Sequence, residues 1–432
     1  MKSLIFLSPY ARSLFLKSSL TEYGGAEVKV FNIVSIMKET KKYKNLVIID
    51  SAYENPNTIN IDNVILICLP LLHKINKLIP IMEFLTKFFA LLTINRFPIF
   101  RKILRPFKIT SFSNFFNKIE NIKNKIVNIE FIRFKLTEFN INKQLQYIKS
   151  KNEFYDYFFC FGLNQQSFLF MKRFRDKKLS KHNVIYLGSD NDLNFKSQFY
   201  GEINSSKRKC LEICDFVICQ NSFQKNKINY YLPNKKVFIL PNPINMKFKY
   251  NFTNIEDRKY DVIWVGKLDK VKNPIIALNI ARKLKKYKFL FLFNIQDNRY
   301  NFFDLMLRFK TNNIVFKIDI DYEISDKYFS QSKIYINTSL FEGFPNALLQ
   351  AGKYGCPFIS LNVNPDNILN NESNIGYHSH GSKSNLEKNI ENILSNKVDL
   401  LNKSENINDY INNKHSYKKI KNTIEEIFAC VE

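Results

Sequence analysis

Glu342 and Gln350 stand eight residues apart across the run Glu342-Gly343-Phe344-Pro345-Asn346-Ala347-Leu348-Leu349-Gln350. The run reads as a loop opening a helix, with Pro345 at the first helical position, where a missing N–H costs nothing and the fixed φ is already helical. Such a helix start aims free backbone amides outward and is a ready seat for a phosphate or another anion. At 1.5 Å rise per helical residue the two polar side chains lie about 10–12 Å apart, the span of a sugar-phosphate ligand. Lys267 and Lys272, just after Gly266, add two ammonium groups that can neutralise a diphosphate. The pair Gly24-Gly25 lets backbone approach a ligand closely, although a plain turn would look the same. Gly188-Ser189-Asp190-Asn191-Asp192 offers carboxylates for orienting an acceptor hydroxyl, or a solvated turn.

Each of these stretches follows a short apolar run, and the runs alternate with helical periodicity. Residues 3–8 precede the glycine pair, 183–187 precede Asp190, 261–266 end at the lysines and 333–337 end at the Glu342 loop. Further strands are expected at 45–50, 63–69, 155–161, 216–219, 236–240, 289–293, 313–317 and 357–361. Strands alternating with helices predict parallel sheets covered by helices, whose ligands bind at the carboxyl ends of the strands. Pro241-Asn242-Pro243 interrupts the alternation. The expected organisation is therefore a first domain over 1–241, a linker over 242–260, a second domain over 261–405 and a helical tail over 406–432. The unit starting at 261 is Rossmann-like but lacks G-x-G-x-x-G, offering cations in place of a glycine cradle.

Composition narrows the partners. The chain has 432 residues, 45% of them hydrophobic, enough for two cores and too many for a disordered chain. The net charge of +26 raises nucleic acid or an anionic membrane. Lysine, asparagine and isoleucine are abundant throughout, however, so nucleic acid is not expected as a partner. Seven scattered cysteines suit a reducing compartment, and Cys210, Cys214 and Cys219 lack the spacing of a zinc knuckle. The first strand is broken by Pro9 too early for a signal peptide, and no uncharged run spans a bilayer. A cytoplasmic protein, soluble or peripheral on the inner face of the plasma membrane, is expected. Residues 66–135 carry thirteen lysines and arginines against three acids, interleaved with phenylalanines. This suits either an interfacial membrane contact, centred on an insert around 70–135, or core helices with solvated basic faces.

Glu342 to Ala351, followed by Gly355-Cys356-Pro357, resembles the E-x7-E region of family-4 retaining glycosyltransferases. Val265-Gly266-Lys267-Leu268 with Lys272, Ile239-Leu240-Pro241-Asn242 and Gly24-Gly25-Ala26-Glu27 are similar to three further segments of that family, in the same order. The resemblance implies the α/β GT-B fold, two Rossmann-like domains facing a central cleft. It implies a metal-independent retaining transferase without a cofactor, moving a hexose-type sugar from a UDP- or GDP-sugar to a cell-envelope glycan, such as lipopolysaccharide or capsule, or to a lipid-linked acceptor. By resemblance Lys267 and Lys272 bind the diphosphate and Glu342 contacts the donor sugar beside the Gly343-Phe344-Pro345-Asn346 turn. Gln350 meets the ribose, and Gly24 and Gly25 close over phosphates and acceptor. Gln350 stands where the family has glutamate, Lys267 where it has arginine, and Pro243 where a glycine is usual. Two rival readings stay open: a paralogue that binds a nucleotide sugar or glycan without turnover, and a nucleotide-sugar epimerase on the same fold.

Overall fold

Short runs rich in isoleucine, valine and phenylalanine form two separate sheets in the computed structural model, each sandwiched between helices. The structure describes residues 2–8, 14–15, 25–40, 42–50, 57–61, 64–68, six positions within 138–148, and 154–194, 204–247, 254–295, 299–369 and 374–432. The basic insert around 70–135 and Gly24 lie outside the described residues.

The first sheet contains β1 (Lys2–Leu7), β2 (Tyr43–Asp50), β3 (Asn57–Ile61), β4 (Val64–Cys68), β5 (Tyr155–Phe161), β6 (Ser180–Tyr186), β7 (Phe216–Cys219) and β8 (Lys236–Ile239). Their spatial order is β3-β4-β2-β1-β5-β6-β7-β8. All neighbours pair in parallel except β3 with β4. The sequence reading does not anticipate β3. It is an edge strand whose Thr58 and Asn60 are exposed while Ile59 and Ile61 are half-buried, and its polar half masks the alternation. Helix α1 (Gly25–Thr40) covers one face through Val30, Ile33, Val34 and Met37. Helices α2 (Gln165–Asp176), α3 (Asn204–Ile213) and α4 (Ser222–Tyr231) follow their strands in turn.

The second sheet is β11-β10-β9-β12-β13-β14, wholly parallel. Its strands are β9 (Tyr260–Lys267), β10 (Phe289–Asn294), β11 (Ile314–Ile318), β12 (Ser332–Asn337), β13 (Phe358–Ser360) and β14 (Gly376–His378). The helices are α5 (Pro274–Lys283), α6 (Arg299–Phe309), α7 (Tyr322–Ser330), α8 (Asn346–Lys353), α9 (Lys383–Ser395) and α10 (Lys397–His415). In chain order this is the 3-2-1-4-5-6 arrangement of a doubly wound dinucleotide fold, with its topological switch between β9 and β12.

The last helix, α11 (Tyr417–Val431), returns to the first domain. Ile420, Ile424, Ile427 and Phe428 are buried in the same cluster as Leu4, Phe6 and Tyr157, and Phe428 stacks on Tyr157 with ring centroids 4.4 Å apart. Burying each such side chain stabilises the docked helix by about 1.5–3 kcal/mol. The outgoing and returning crossovers run side by side, since Ile244 N–H donates to His415 C=O at 2.9 Å.

Candidate active site

The chain leaves β9 and β12 at the switch point, and both loops are pinned from below. Gly266 is required there because a Cβ would come within 2.9 Å of the Trp264 ring and 3.2 Å of the Lys272 stem. Trp264 Nε1 donates to Thr338 Oγ1 at 3.0 Å, and that hydroxyl lies within hydrogen-bond reach of Lys272 C=O and Asn273 C=O. Asp269 accepts from Lys272 N–H at 2.8 Å. Strand end, loop and helix start are thereby locked together, and the two predicted catalytic loops touch. Lys272 Nζ forms an ion pair with Glu342 Oε1, to which Ser339 Oγ also donates at 2.8 Å. The two charged side chains are 25% and 17% exposed, so the pair is accessible from a cavity.

That cavity holds about 400 Å³ and is lined by Lys267, Lys272, Glu342 and Gln350 from the second domain and by Gly25 and Lys29 from the first. Asn346 and Ala347, the first residues of α8, line it too, so a helix N-terminus opens onto it. Pro345 sits one residue earlier than the sequence pattern implies: it is the N-cap, with φ −64° and ψ 126°, and Asn346 is the first helical residue. Gly355, at φ +64°, supplies the expected glycine cap beyond the other end.

Lys29 is a cleft residue that the sequence reading passes over. Its ammonium is buried, donates to Gly188 C=O at 3.3 Å and lies 5.5 Å from the Tyr186 ring. Burial pulls its pKa down to about 8, against the pull of Asp192, Glu342, Asp190 and Glu27. The available signal is its position four residues before Ile33, a lysine at the head of an apolar stripe.

The turn after Glu342 is held by side-chain amides of the first domain. Gln220 Oε1 accepts from Phe344 N–H at 2.9 Å, Asn221 Nδ2 donates to Gly343 C=O at 3.0 Å, and Asn242 Nδ2 donates to Phe344 C=O at 2.8 Å. Asn346 Nδ2 donates to Gly25 C=O at 2.9 Å. Asp190 belongs to this network and does not line the lysine cavity. Its Oδ1 accepts from Asn221 at 3.1 Å and Gln224 at 2.8 Å, and burial raises its pKa to about 6 despite both donors. His415 packs against Phe344, and burial lowers its pKa to about 4. As a neutral imidazole it must donate through Nδ1–H to Asn242 C=O, 2.8 Å away, because a carbonyl only accepts. Asn242, at the crossover between the domains, thus binds the turn of the opposite domain through its side-chain amide and the last turn of α10 through its carbonyl.

Gln350 is buried, with Nε2 facing the first turn of α7: Tyr322 C=O at 3.0 Å, Ser325 Oγ at 2.8 Å and Asp326 Oδ1 at 2.9 Å. Asp326 also receives Lys353 Nζ at 2.8 Å and Tyr354 Oη at 3.1 Å. A carboxylate at position 350 would meet the Asp326 carboxylate and a carbonyl without a proton between them. The amide is the group that suits this neighbourhood.

The structure therefore brings Lys267, Lys272, Glu342, Phe344, Asn346, Gln350 and Gly25 around one cavity, with Pro345 beside it, and puts Gly343 and Asp190 in the interdomain contact. Gln220, Asn221 and Gln224 were not legible as site residues, because isolated amides after a strand carry no spacing signal.

Residues 246–414 match the family model of group 1 glycosyl transferases. A 115-residue stretch is 26% identical to an uncharacterized 41.2 kDa protein in the cps region of Klebsiella pneumoniae. That match covers 27% of this chain and 31% of the relative, so the chain spans about a third of the length of that curated protein. Among solved structures, sucrose-phosphate synthase from Thermosynechococcus elongatus superposes with a TM-score of 0.71 at 11% identity, covering 100% of this chain and 99% of the other. Anabaena Alr3699/HepE in complex with UDP-glucose gives 0.62 at 11% identity, covering 100% of both chains. The fold is GT-B, with two parallel-sheet α/β domains, and the family match supports a glycosyltransferase.

Proposed function

We propose that the chain is a retaining, metal-independent glycosyltransferase that moves a hexose-type sugar from a nucleotide-diphosphate donor to a cell-envelope glycan or lipid-linked acceptor. The observation that carries this reading is the cavity at the β9/β12 switch point, where Lys267, Lys272 and the start of α8 converge beside Glu342. Two ammonium groups and a helix N-terminus match the charge of a leaving diphosphate. Glu342, already fixed by Ser339, is a rigid acceptor for donor-sugar hydroxyls. The neighbour that carries UDP-glucose supports a nucleotide-sugar donor, and the relative in a cps region points toward a capsule-type acceptor.

In the step we propose, the diphosphate leaves the anomeric carbon as an acceptor hydroxyl attacks from the same face. The departing phosphate oxygen takes the hydroxyl proton, and the lysines hold the charge left on the diphosphate. The protein supplies no nucleophile, so its task is orientation and charge neutralisation. No helix among the described residues is long and apolar enough to cross a membrane. A peripheral place on the inner face of the plasma membrane, through the basic insert around 70–135, completes the reading.

The test is nucleoside diphosphate release from a panel of UDP- and GDP-sugars, repeated with Lys272→Ala. We expect release with at least one donor and a loss of roughly a hundredfold or more in the variant. Undiminished turnover in Lys272→Ala would overturn the diphosphate assignment. The residues Gln350 and Lys267, which stand where the resembled family has glutamate and arginine, motivate one rival, a binding paralogue without turnover. Nucleotide binding with no donor consumed would establish it.

A further inference from the structure

The lysine-lined cleft adjoins a second cavity of opposite character. This cavity holds about 630 Å³ and shares Phe341 and Glu342 with the first. Its walls come from both domains: the start of α4 with the residue before it on one side, and the loop after β13, residues 362–367, on the other. Asp366 Oδ1 accepts from Ser222 N–H at 2.7 Å and joins the two walls.

The charge distribution separates the two cavities. In a chain of net charge +26, no lysine or arginine lines the second cavity among the described residues, while Asp190, Glu342 and Asp366 do. The first cavity is lined by Lys29, Lys267 and Lys272. An acid-lined wall rejects phosphate and carboxylate ligands. Burial also holds the His378 imidazole below its ordinary pKa, so the histidine in this wall adds no cation near neutrality.

What the second cavity does offer is amides. Five asparagines line it, and an amide both donates and accepts, as a sugar hydroxyl does. Asn364 is held in one orientation because its Oδ1 accepts from Leu369 N–H at 2.9 Å. Its Nδ2 is buried without a hydrogen-bond partner among the described residues. Phe223 stands 51% exposed in this polar wall, and Lys227 lies over its ring at 5.3 Å without lining the cavity. An aromatic face among amides suits the apolar C–H face of a pyranose ring.

We infer that this second cavity binds an uncharged saccharide, the acceptor glycan, and so presents it to Glu342 from outside the nucleotide cleft. The inference rests on the transferase reading for the word acceptor, and on the cavity alone for the saccharide.

Saturation-transfer NMR on the full chain tests it, with the methyl glycosides of glucose, galactose and N-acetylglucosamine as probes, each with and without saturating UDP or GDP. At least one glycoside should bind at millimolar concentration and remain bound beside the nucleotide. Its signal should fall at least fivefold in Phe223→Ala and in Asn226→Lys, both exposed positions, and persist in Lys272→Ala, which should lose nucleotide affinity instead. No glycoside binding to a protein that binds UDP or GDP would overturn the inference, as would undiminished binding in both cavity variants. Displacement by intact UDP-glucose but not by UDP would assign the cavity to the donor's own sugar and overturn the acceptor role. Glycoside binding without any nucleotide binding would sink the transferase reading while leaving a saccharide cavity.

Discussion

Lys272 and Glu342 form an ion pair inside the cavity that a diphosphate would enter, with Ser339 bonded to the same carboxylate oxygen. The cation proposed to hold the leaving group is therefore already engaged, and an arriving diphosphate must compete with Glu342 for it. Half-buried pairs of this kind are worth about 0.5–1.5 kcal/mol after solvent screening. Glu342→Gln should free the ammonium and tighten UDP or GDP binding about threefold to tenfold by isothermal titration calorimetry, while turnover falls. Lys272→Ala should weaken the same binding at least about tenfold. Equal nucleotide affinity in the wild type and Glu342→Gln would mean that the pair does not gate the lysine.

Gly343 packs tightly against the first domain. A Cβ there would lie 2.7 Å from Gln220 Oε1 and 2.9 Å from Gln224 Nε2. Neither amide can retreat cheaply, since Gln220 is bonded to Leu187 C=O and Phe344 N–H, and Gln224 to Asp190. Gly343→Ala should wedge the domains apart at a cost of about 1–3 kcal/mol. A larger radius of gyration by small-angle scattering, together with a lower melting temperature, is the expected outcome; an unchanged profile and melt would show that the contact yields locally.

Lys29 gives the fold a pH dependence with a definite sign. Its pKa is about 8 in the folded protein, against 10.5 ordinarily. Between these values the unfolded chain holds a proton that the folded chain has released, so this group's contribution to stability rises with pH across that window. Below pH 8 the folded state carries the full penalty of the buried ammonium, on the order of 3 kcal/mol. Lys29→Met should therefore be more stable than the wild type at pH 7, with the gain shrinking toward pH 10.5. Paired denaturation curves between pH 7 and pH 10.5 check this, and a difference independent of pH would mean that the stem, not the charge, matters.

Much of the architecture was legible because both sheets are buried and, apart from the β3–β4 edge pair, parallel, so most of their strands read as short apolar runs. The lysines after β9 and the turn after β12 could be linked to one site because parallel strands deliver their carboxyl ends to the same edge. The edge strand β3 was hidden by its polar half. The amide network was hidden for a different reason. Gln220, Asn221 and Asn242 gain their meaning from a partner more than a hundred residues away in Gly343 and Phe344, and no local pattern encodes such a contact. Asp190 shows the same limit, since no spacing pattern in the chain links it to its partners Asn221 and Gln224.

Position 350 shows how a neighbour selects a residue type. Gln350 Nε2 lies 2.9 Å from Asp326 Oδ1, and Asp326 is itself held by Lys353 and Tyr354. Gln350→Glu would set two buried carboxylates at hydrogen-bond distance, which both cannot occupy as anions. The variant should lose about 1–3 kcal/mol at pH 8, where leaving one of them protonated is costly. The sign then follows: a carboxylic acid whose folded pKa is raised contributes stability at low pH that is lost as pH rises, so the deficit should shrink near pH 5. Denaturation at the two pH values decides it. A deficit that stays constant, or no deficit at either pH, would mean that Asp326 turns away and that position 350 accepts a carboxylate freely.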